Sequence, residues 1–463
     1  MEERRHPEYR KRRKRSQFEL FKENYLPAVI ICVAFLLVII FTIGSVARGI
    51  QYNKAEQLQK EQVKLSSQQA KEQLDKEVKL LIKEAKALAK DYDYDGAIAV
   101  LDSFSGSKPE DYPELVNLRK QYLDEKNALV LWEDNSKVVN LAFHNLIVDA
   151  QRAFDSGYSY HYVTTAEFSN ILLQLYQNDY VLISLDDIYQ QETDDLGQTY
   201  LSNKQLYLPE GKKPLILTQN QVNYYTDMVD GADADYLPDA EGAGFANKMV
   251  IDENGNIACE YIAADGTQSV GAYDLVPILE SFIATHPDFS YRGARAILSV
   301  TGYDGLFGYR TSMKASSDYN KDDEAIEAQN LIKKLRELGY EIGCYTYGNV
   351  GYGDVDVAAI NADMSGWITE VAPILGEVDI FVYAKNSDIN IPSAIYSGEK
   401  FNKLSSMGFK YFIGFCEAGT PWHIVTDSYV RQGRIMVTGH NLLANPEWFN
   451  GMFDAPSIVD PNR

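Results

Sequence analysis

A run of 22 consecutive uncharged residues, 26–47, constrains this chain more than any other feature of its sequence. Ile, Val, Leu and Phe dominate the run, and its length matches the ~20 residues that a helix needs to cross a bilayer. Residues 1–25 before it carry nine Lys and Arg against five Glu, a net charge of +4. Because positive flanks stay on the cytoplasmic side, the sequence predicts a basic cytoplasmic tail (1–25), a transmembrane helix (26–47) and an extracellular remainder.

A cleaved signal peptide is the alternative for this run, because Ser45-Val46-Ala47 fits a small-residue cleavage site. The apolar stretch is longer than the roughly 7–15 residues of such peptides, which favours an uncleaved signal anchor. We therefore expect a single-pass protein of the cell membrane, with a cytoplasmic N-terminus and an extracellular C-terminal domain.

The charge balance excludes some partners. The whole chain has a net charge of −22, so removing the basic tail leaves −26 for residues 26–463. Nucleic acids and anionic lipid surfaces bind clustered Lys and Arg, which this part of the chain lacks, so neither is expected as a partner. Outside the predicted membrane span the chain has Cys259, Cys344 and Cys416. An odd number implies no complete disulfide framework and leaves one Cys344–Cys416 bridge open.

Residues 48–135 are predicted to be helical. Residues 51–90 contain no Pro or Gly and are rich in Gln, Lys, Glu, Leu and Ala, the composition of an exposed helix. Residues 87–101 are similar to part of a tetratricopeptide-like hairpin, and a further helix is predicted over 113–131. Since fewer than about three such repeats rarely form a stable array, a spacer with a helical cap is favoured over a peptide-binding module.

The remaining sequence alternates between strand and helix patterns. Strands are predicted at 138–146, 181–185 and 214–225, and Thr164 with Glu167 forms a capping box that begins a helix. An Asn-Gly pair predicts a hairpin between 249–252 and 257–261, followed by helices at 274–285 and 323–338. This rhythm predicts a parallel sheet with crossover helices, and chemistry is expected at the carboxyl ends of its strands.

The strand at 214–225 and its neighbours resemble the polysaccharide deacetylase family, in particular its membrane-anchored Gram-positive members. Two long blocks, 286–294 and 301–311, carry the resemblance most specifically, and it extends over 138–463 to residues 429–434 and 453–454. The resemblance implies an α/β fold, a distorted (β/α) barrel over 136–463. It also implies cell-wall or exported polysaccharide as a partner.

The same resemblance places the family's chemical positions. The family's strand ends in two aspartates, a general base and a metal ligand, where this chain has Asn220 and Gln221. Its two metal-binding histidines correspond to Tyr345 and Asn349. Zinc or a similar ion is expected for the family, but amides cannot act as bases and a neutral phenol is a poor ligand. We therefore expect no metal here, and we expect zinc binding to return when all four residues are changed back.

Several side chains are candidates for a substrate groove. These are Tyr303, Tyr345 and the set Tyr224, Tyr225, Tyr309, Tyr347, Tyr383, Trp422 and His440. Ordinary core packing is the alternative for each tyrosine, since the chain has 32 of them. His144, at a strand end, is interpreted as a structural histidine rather than a ligand.

Three functions remain open from the sequence. The favoured one is a catalytically silent barrel, a pseudoenzyme that binds glycan at the cell envelope. The second is an active hydrolase that removes acetyl groups through other residues, although the spacing of Asp227, Asp304, Glu417 and His423 matches no known arrangement. The third is a structural scaffold that contacts an envelope protein through its helical stalk.

Overall fold

The computed structural model describes residues 25–226, 244–313, 319–392 and 394–463. Asp227 and the predicted basic tail, except Tyr25, lie outside the described residues. The chain divides into two compact units, Met1–Leu80 and Leu81–Arg463.

Helix α1 (Leu26–Lys90) is one continuous helix of 65 residues, which includes both the predicted transmembrane segment and the predicted stalk. Its most apolar 18 residues have a mean hydropathy of 3.1, and none of them is buried inside the protein. Helix α1 is therefore long and apolar enough to cross a membrane. After the apolar part, α1 has an exposed surface with ion pairs between its own residues, such as Lys60–Glu56 (2.7 Å).

The other α-helices of the described chain are short to medium in length. They are α2 (Tyr94–Asp102), α3 (Pro113–Asn127), α4 (Ala150–Asp155), α5 (Thr165–Gln177), α6 (Leu275–Thr285), α7 (Lys321–Leu338), α8 (Val357–Gly366), α9 (Ala372–Leu375), α10 (Glu399–Ser406), α11 (Gly439–Ala444) and α12 (Ala455–Ile458). A single π-helical segment, Trp367–Val371, joins α8 to α9.

The strands of the described chain follow in order. They are β1 (Val130–Trp132), β2 (Val139–Phe143), β3 (Tyr180–Leu182), β4 (Tyr189–Thr193), β5 (Thr199–Asn203), β6 (Leu206–Leu208), β7 (Lys213–Gln219), β8 (Lys248–Ile251), β9 (Ile257–Ile262), β10 (Gln268–Gly271), β11 (Ile297–Val300), β12 (Glu341–Cys344), β13 (Ile380–Val382), β14 (Tyr411–Phe415), β15 (His423–Val425) and β16 (Val430–Met436).

Seven parallel strands close into a barrel. Their order is β11, β12, β13, β14, β16, β2 and β7, and β7 pairs back onto β11. β3 adds to β7 outside the ring, and β15 pairs antiparallel with β16. Closure leaves the seven strands of the ring without a free edge. The predicted (β/α) barrel is confirmed.

Alternating residues of the barrel strands enter two different buried clusters. Ile216 and Ile297 belong to the cluster inside the ring, whereas Leu215, Leu217 and Leu298 belong to the cluster between the ring and the helices. Both faces are covered, which explains why these strands are nearly continuous apolar runs. Because successive side chains along a strand point to opposite faces, every second residue of a barrel strand points into the barrel.

The helical hairpin of α2 and α3 packs against the barrel. The Tyr92 hydroxyl donates to the Asp288 carbonyl (3.0 Å), and Arg292 Nη2 donates to Asp93 Oδ1 (3.0 Å). Asp288 and Arg292 belong to the block 286–294, so part of this block fixes the hairpin. The predicted helix 113–131 ends at Asn127, because Val130–Trp132 forms β1 and pairs with β6 instead.

Other local predictions can be compared directly. Thr164 and Glu167 form the predicted capping box, with the Glu167 backbone N–H donating to Thr164 Oγ1 (3.0 Å). β8 and β9 pair as the predicted hairpin, and β10 adds a third strand that the polar residues 268–271 did not indicate. Cys259, Cys344 and Cys416 are buried free thiols, so the bridge left open from the sequence is not formed.

Candidate functional site

The barrel mouth comprises the segments that connect the carboxyl ends of the seven barrel strands to the elements after them, including the first turn of such an element. Asn220 follows β7 and Tyr345 follows β12, with β11 between these two strands. Carboxyl ends of parallel strands meet at one end of a barrel, where α/β barrels usually carry their sites. The barrel mouth is therefore the place at which to compare the predicted residues with their surroundings.

Asn220 lies inside the barrel. It is 0% exposed, and its backbone N–H donates to the Phe143 carbonyl (2.7 Å). Its amide Nδ2 contacts the Met436 sulfur at 3.4 Å, while Oδ1 is buried and has no hydrogen-bond partner among the described residues. The side chain is therefore held between β2 and β16 as a neutral amide with one free acceptor.

Tyr345 also points into the barrel, where it meets Arg434. The nearby Arg434 guanidinium and Lys385 backbone N–H act to lower the pKa of its phenol, and the side chain is almost fully buried. Burial raises the pKa of the Tyr345 phenol in spite of these donors. Tyr345 is therefore expected to remain protonated at neutral pH.

Arg434 is a fully buried charge. Its Nη1 donates to the Ile413 (2.8 Å) and Gly414 (3.0 Å) carbonyls, and its Nη2 donates to the Tyr383 carbonyl (2.8 Å). Burial lowers the pKa of this guanidinium from its ordinary value, although arginine keeps its proton in proteins. No carboxylate of the described residues forms an ion pair with it. Arg434 belongs to the block 429–434 of the family resemblance, which assigned it no role.

Gln221 and Asn349 lie in the loops after their strands. Both have a left-handed backbone (φ 55° each) and are partly exposed. The Asp363 carboxylate fixes the loop beyond Tyr345 by accepting from the backbone N–H groups of Tyr347 (2.8 Å) and Gly348 (2.7 Å). No hydrogen bond in the described chain joins any two of Asn220, Gln221, Tyr345 and Asn349.

His144 follows β2 and faces Arg434 and His161. Burial lowers the pKa of its imidazole to about 3, and the two neighbouring positive groups add to this effect. Nδ1 is buried and finds no hydrogen-bond partner in the part of the chain that the structure describes, and the ring packs on Tyr162 with centroids 5.3 Å apart. His144 is therefore a neutral imidazole inside the barrel.

These residues do not fit a divalent metal ion. The described residues contain no group of three or more His, Cys, Asp and Glu side chains placed to hold one. The barrel interior instead offers the amide of Asn220, the protonated phenol of Tyr345 and the cation of Arg434. Carboxylates, thiolates and neutral imidazoles are the usual ligands of such ions, so no step of a reaction is assigned to a metal here.

Two aromatic pairs line the barrel mouth. Tyr160 is 51% exposed and stacks on His440, with centroids 4.4 Å apart and planes at 24°. Tyr303 is 44% exposed and contacts Tyr225 with centroids 6.0 Å apart. Tyr347 is partly buried in the loop after β12. Sequence reasoning missed Tyr160, since its position beside His440 depends on two segments that are distant in sequence.

The structure corrects three groove candidates, Tyr224, Tyr309 and Tyr383, which are buried, whereas Trp422 is partly exposed. Tyr224 is buried, and its hydroxyl donates to Asp274 Oδ2 (2.6 Å). Tyr309 lies beneath Lys248 Nζ (4.5 Å), and Tyr383 is 0% exposed. The ring of Trp422 covers the Arg431 guanidinium at 5.1 Å.

Asp304, Glu417 and His423, the described residues of the hydrolase alternative, do not form one site. Asp304 pairs with Arg310 (3.1 Å) and accepts from the Thr226 backbone N–H (2.7 Å). His423, on β15, contacts the Tyr189 hydroxyl through its Nδ1 (3.0 Å). Glu417 is exposed in the segment after β14. Asp304 follows β11, which is separated from β14 by two strands of the ring. Asp227 lies outside the described residues.

Two solved structures of deacetylases are similar to this chain. No family model matches the chain, and no curated protein matches it. The deacetylase PplD of Streptococcus pyogenes, solved in complex with acetate, is a structural match with 12% identity and a TM-score of 0.34, over 70% of this chain and 99% of that protein. A de-N-acetylase of Aggregatibacter actinomycetemcomitans matches with 9% identity and a TM-score of 0.36, over 68% of this chain and 99% of that protein.

Proposed function

We propose that this chain is a membrane-anchored extracytoplasmic protein that binds polysaccharide at the cell envelope and does not hydrolyse it by a metal-dependent route. One observation carries the proposal: two aromatic pairs, each with one exposed ring, lie at the mouth of a barrel whose described residues contain no group of three or more metal-ligating side chains. The length and hydropathy of α1 support the anchor. The extracellular orientation is the one that the basic residues 1–25 favour.

Aromatic rings suit a glycan ligand. The C–H faces of sugar rings are apolar and pack on the faces of aromatic side chains, while their hydroxyls need polar neighbours. The two aromatic pairs offer both ring faces and polar atoms at the carboxyl ends of adjacent strands. The pairs are Tyr160 with His440 and Tyr303 with Tyr225. The net charge of −22 favours an uncharged or positively charged polysaccharide over an anionic one.

Co-sedimentation with insoluble cell-wall glycan tests binding. The full-length chain in detergent is compared with the double variant Tyr160→Ala/Tyr303→Ala and with Tyr207→Ala. Tyr207 is 41% exposed on β6, away from the barrel mouth, and serves as the matched control. We expect the double variant to lose at least about tenfold in binding, because each stacking aromatic contributes ~0.5–1.5 kcal/mol beyond area burial. Unchanged binding would contradict the assignment to the mouth and would favour the scaffold alternative.

Acetate release tests the hydrolase alternative. The wild-type chain is incubated with acetylated glucosamine oligomers, and free acetate is compared with a blank that lacks protein. We expect no release above the blank. Release that exceeds the blank would overturn the non-enzymatic function, whatever the co-sedimentation shows.

A further inference from the structure

We propose that Arg463 is a positioning residue of the barrel mouth, which fixes the turn that presents Tyr160 to a glycan. It does so through an ion pair with Glu167 and a hydrogen bond to the Ser159 carbonyl. The proposal rests on the proposed function, since it concerns how one exposed ring of the barrel mouth is held in place.

The first observation is a buried ion pair between Arg463 and Glu167. Arg463 Nη2 lies 2.5 Å from Glu167 Oε2, Nε donates to Oε1 (3.0 Å), and the two side chains are 2% and 1% exposed. The same carboxylate accepts from the backbone N–H groups of Thr164 (2.7 Å) and Asp460 (2.8 Å). Two parallel hydrogen bonds between a guanidinium and a carboxylate fix the plane of the guanidinium. Arg463 is therefore held in one orientation at the start of α5.

The second observation is that this guanidinium also contacts the turn between α4 and α5. Its Nη1 donates to the Ser159 carbonyl, and its Cζ lies 4.9 Å from the centroid of the Phe154 ring. The next carbonyl, that of Tyr160, accepts from the His440 backbone N–H (2.9 Å). Two consecutive carbonyls of the turn are thus bound by residues of other segments. The ring of the second residue is the one that stacks on His440.

Gly439 shows how closely these segments approach one another. A Cβ atom at this position would overlap both the Arg463 guanidinium and the Ser159 carbonyl. Gly439 is the first residue of α11 and directly precedes His440. Arg463, the turn and the start of α11 therefore meet beside the stacked pair, so we infer that a displaced guanidinium disturbs the Tyr160 ring.

Co-sedimentation with insoluble cell-wall glycan, using the full-length chain in detergent, tests the proposal. Arg463→Lys keeps a positive charge beside Glu167, but one ammonium group cannot replace both the fork to the carboxylate and the bond to Ser159. We expect this variant to bind about fivefold more weakly than the wild type, the order of one stacking ring. Arg295→Lys is the matched control and should bind like the wild type. Arg295 forms a similar fork with Glu280 (2.6 and 3.3 Å), just before the amino end of β11.

Combined variants separate positioning from a general loss of stability. In a Tyr160→Ala background, Arg463→Lys should weaken binding by less than about twofold more, because the ring that it positions is already absent. In a Tyr303→Ala background, its effect should remain about fivefold. An equal effect in the two backgrounds would overturn the proposal, and so would an equal loss of binding in Arg295→Lys.

Amide hydrogen exchange gives a readout that needs no glycan. We expect Arg463→Lys to raise exchange of the His440 amide by about fivefold, since its acceptor is the Tyr160 carbonyl, and Arg295→Lys to leave it unchanged. Gly439→Ala keeps both charges of the ion pair but pushes the Ser159 carbonyl from the guanidinium, so it should raise this exchange as well.

The two measurements distinguish the two proposals. Unchanged exchange of the His440 amide in Arg463→Lys and Gly439→Ala would overturn the positioning role, even if the wild type binds glycan. Raised exchange in both variants, with no glycan binding by the wild type, would support the contact and overturn the proposed function instead.

Discussion

At the scale of single residues, two carboxylates, Asp274 and Glu341, differ in the hydrogen bonds that they accept. Asp274 is 0% exposed and accepts from Leu146 N (2.9 Å), Gln219 Nε2 (2.8 Å) and the Tyr224 hydroxyl. Glu341, at the amino end of β12, accepts only a long contact from Leu185 N (3.4 Å). Burial and the nearby Asp186 raise the pKa of Glu341 to about 8. Its protonation is therefore linked to folding.

The sign of this linkage follows from the raised pKa. In the unfolded chain Glu341 ionises near its ordinary pKa of 4.5, whereas in the folded chain it keeps its proton up to about pH 8. Stability from this group is present below pH 4.5 and is lost as the pH rises towards 8. We predict that Glu341→Gln flattens the loss of stability between pH 5 and 8, by up to a few kcal/mol at ~1.4 kcal/mol per pKa unit. Urea denaturation across this pH range checks it, and an unchanged pH profile would contradict the shift.

At the scale of elements, α8 and the π-helical segment after it hold the loops of the barrel mouth. Asp363 on α8 accepts from Tyr347 N, Gly348 N and the Tyr352 hydroxyl (2.7 Å). Glu370 in the π-helical segment accepts from Met313 N (2.8 Å). These two carboxylates order the loops after β12 and β11, which carry Tyr347 and Tyr303.

We predict that Asp363→Asn lowers the free energy of unfolding by ~2–3 kcal/mol and weakens glycan binding, because hydrogen bonds to a charged acceptor contribute ~1.5–3 kcal/mol. Asp356→Asn on the same helix is the control. Asp356 caps α8 by accepting from Ala359 N (2.9 Å), and asparagine caps a helix about as well as aspartate. Equal effects of the two changes on stability and on co-sedimentation would contradict the role of Asp363.

At the scale of the whole unit Leu81–Arg463, the helical hairpin and the barrel share a network. Arg292 contacts Asp93 (3.0 Å) and Asp95 (3.5 Å), and its backbone N–H donates to the Asp91 carbonyl (2.6 Å). The side chain is 39% exposed, so its ion pairs are partly screened by water. The hairpin is therefore a docked part of this unit whose attachment is weaker than the barrel core.

We predict that Arg292→Met raises amide hydrogen exchange in α2 and α3 by about fivefold, because an exposed ion pair contributes up to ~1 kcal/mol. Exchange in β2 and β7 should not change. Arg336→Met, at an exposed position on α7, is the control. An increase of amide exchange throughout the barrel would contradict a local attachment. An unchanged exchange rate in the hairpin would contradict it as well.

Much of this fold follows from local patterns, and the rest depends on distant pairing. The capping box at Thr164 and the apolar runs of the barrel strands are local, so they were predictable. β1 was not, because Val130–Trp132 is a strand only through its pairing with β6. The family positions pointed to Asn220 and Tyr345. Arg434 lies in the block 429–434 of the resemblance, but its inward direction follows from the register of β16 with β14 and β2.

The most direct test of the central claim is calorimetric titration of the full-length chain with a cell-wall glycan fragment, in the presence of a zinc chelator and then of added zinc. Binding through the aromatic mouth of a metal-free barrel predicts the same dissociation constant in both conditions. Binding that disappears with the chelator and returns with zinc would contradict the account.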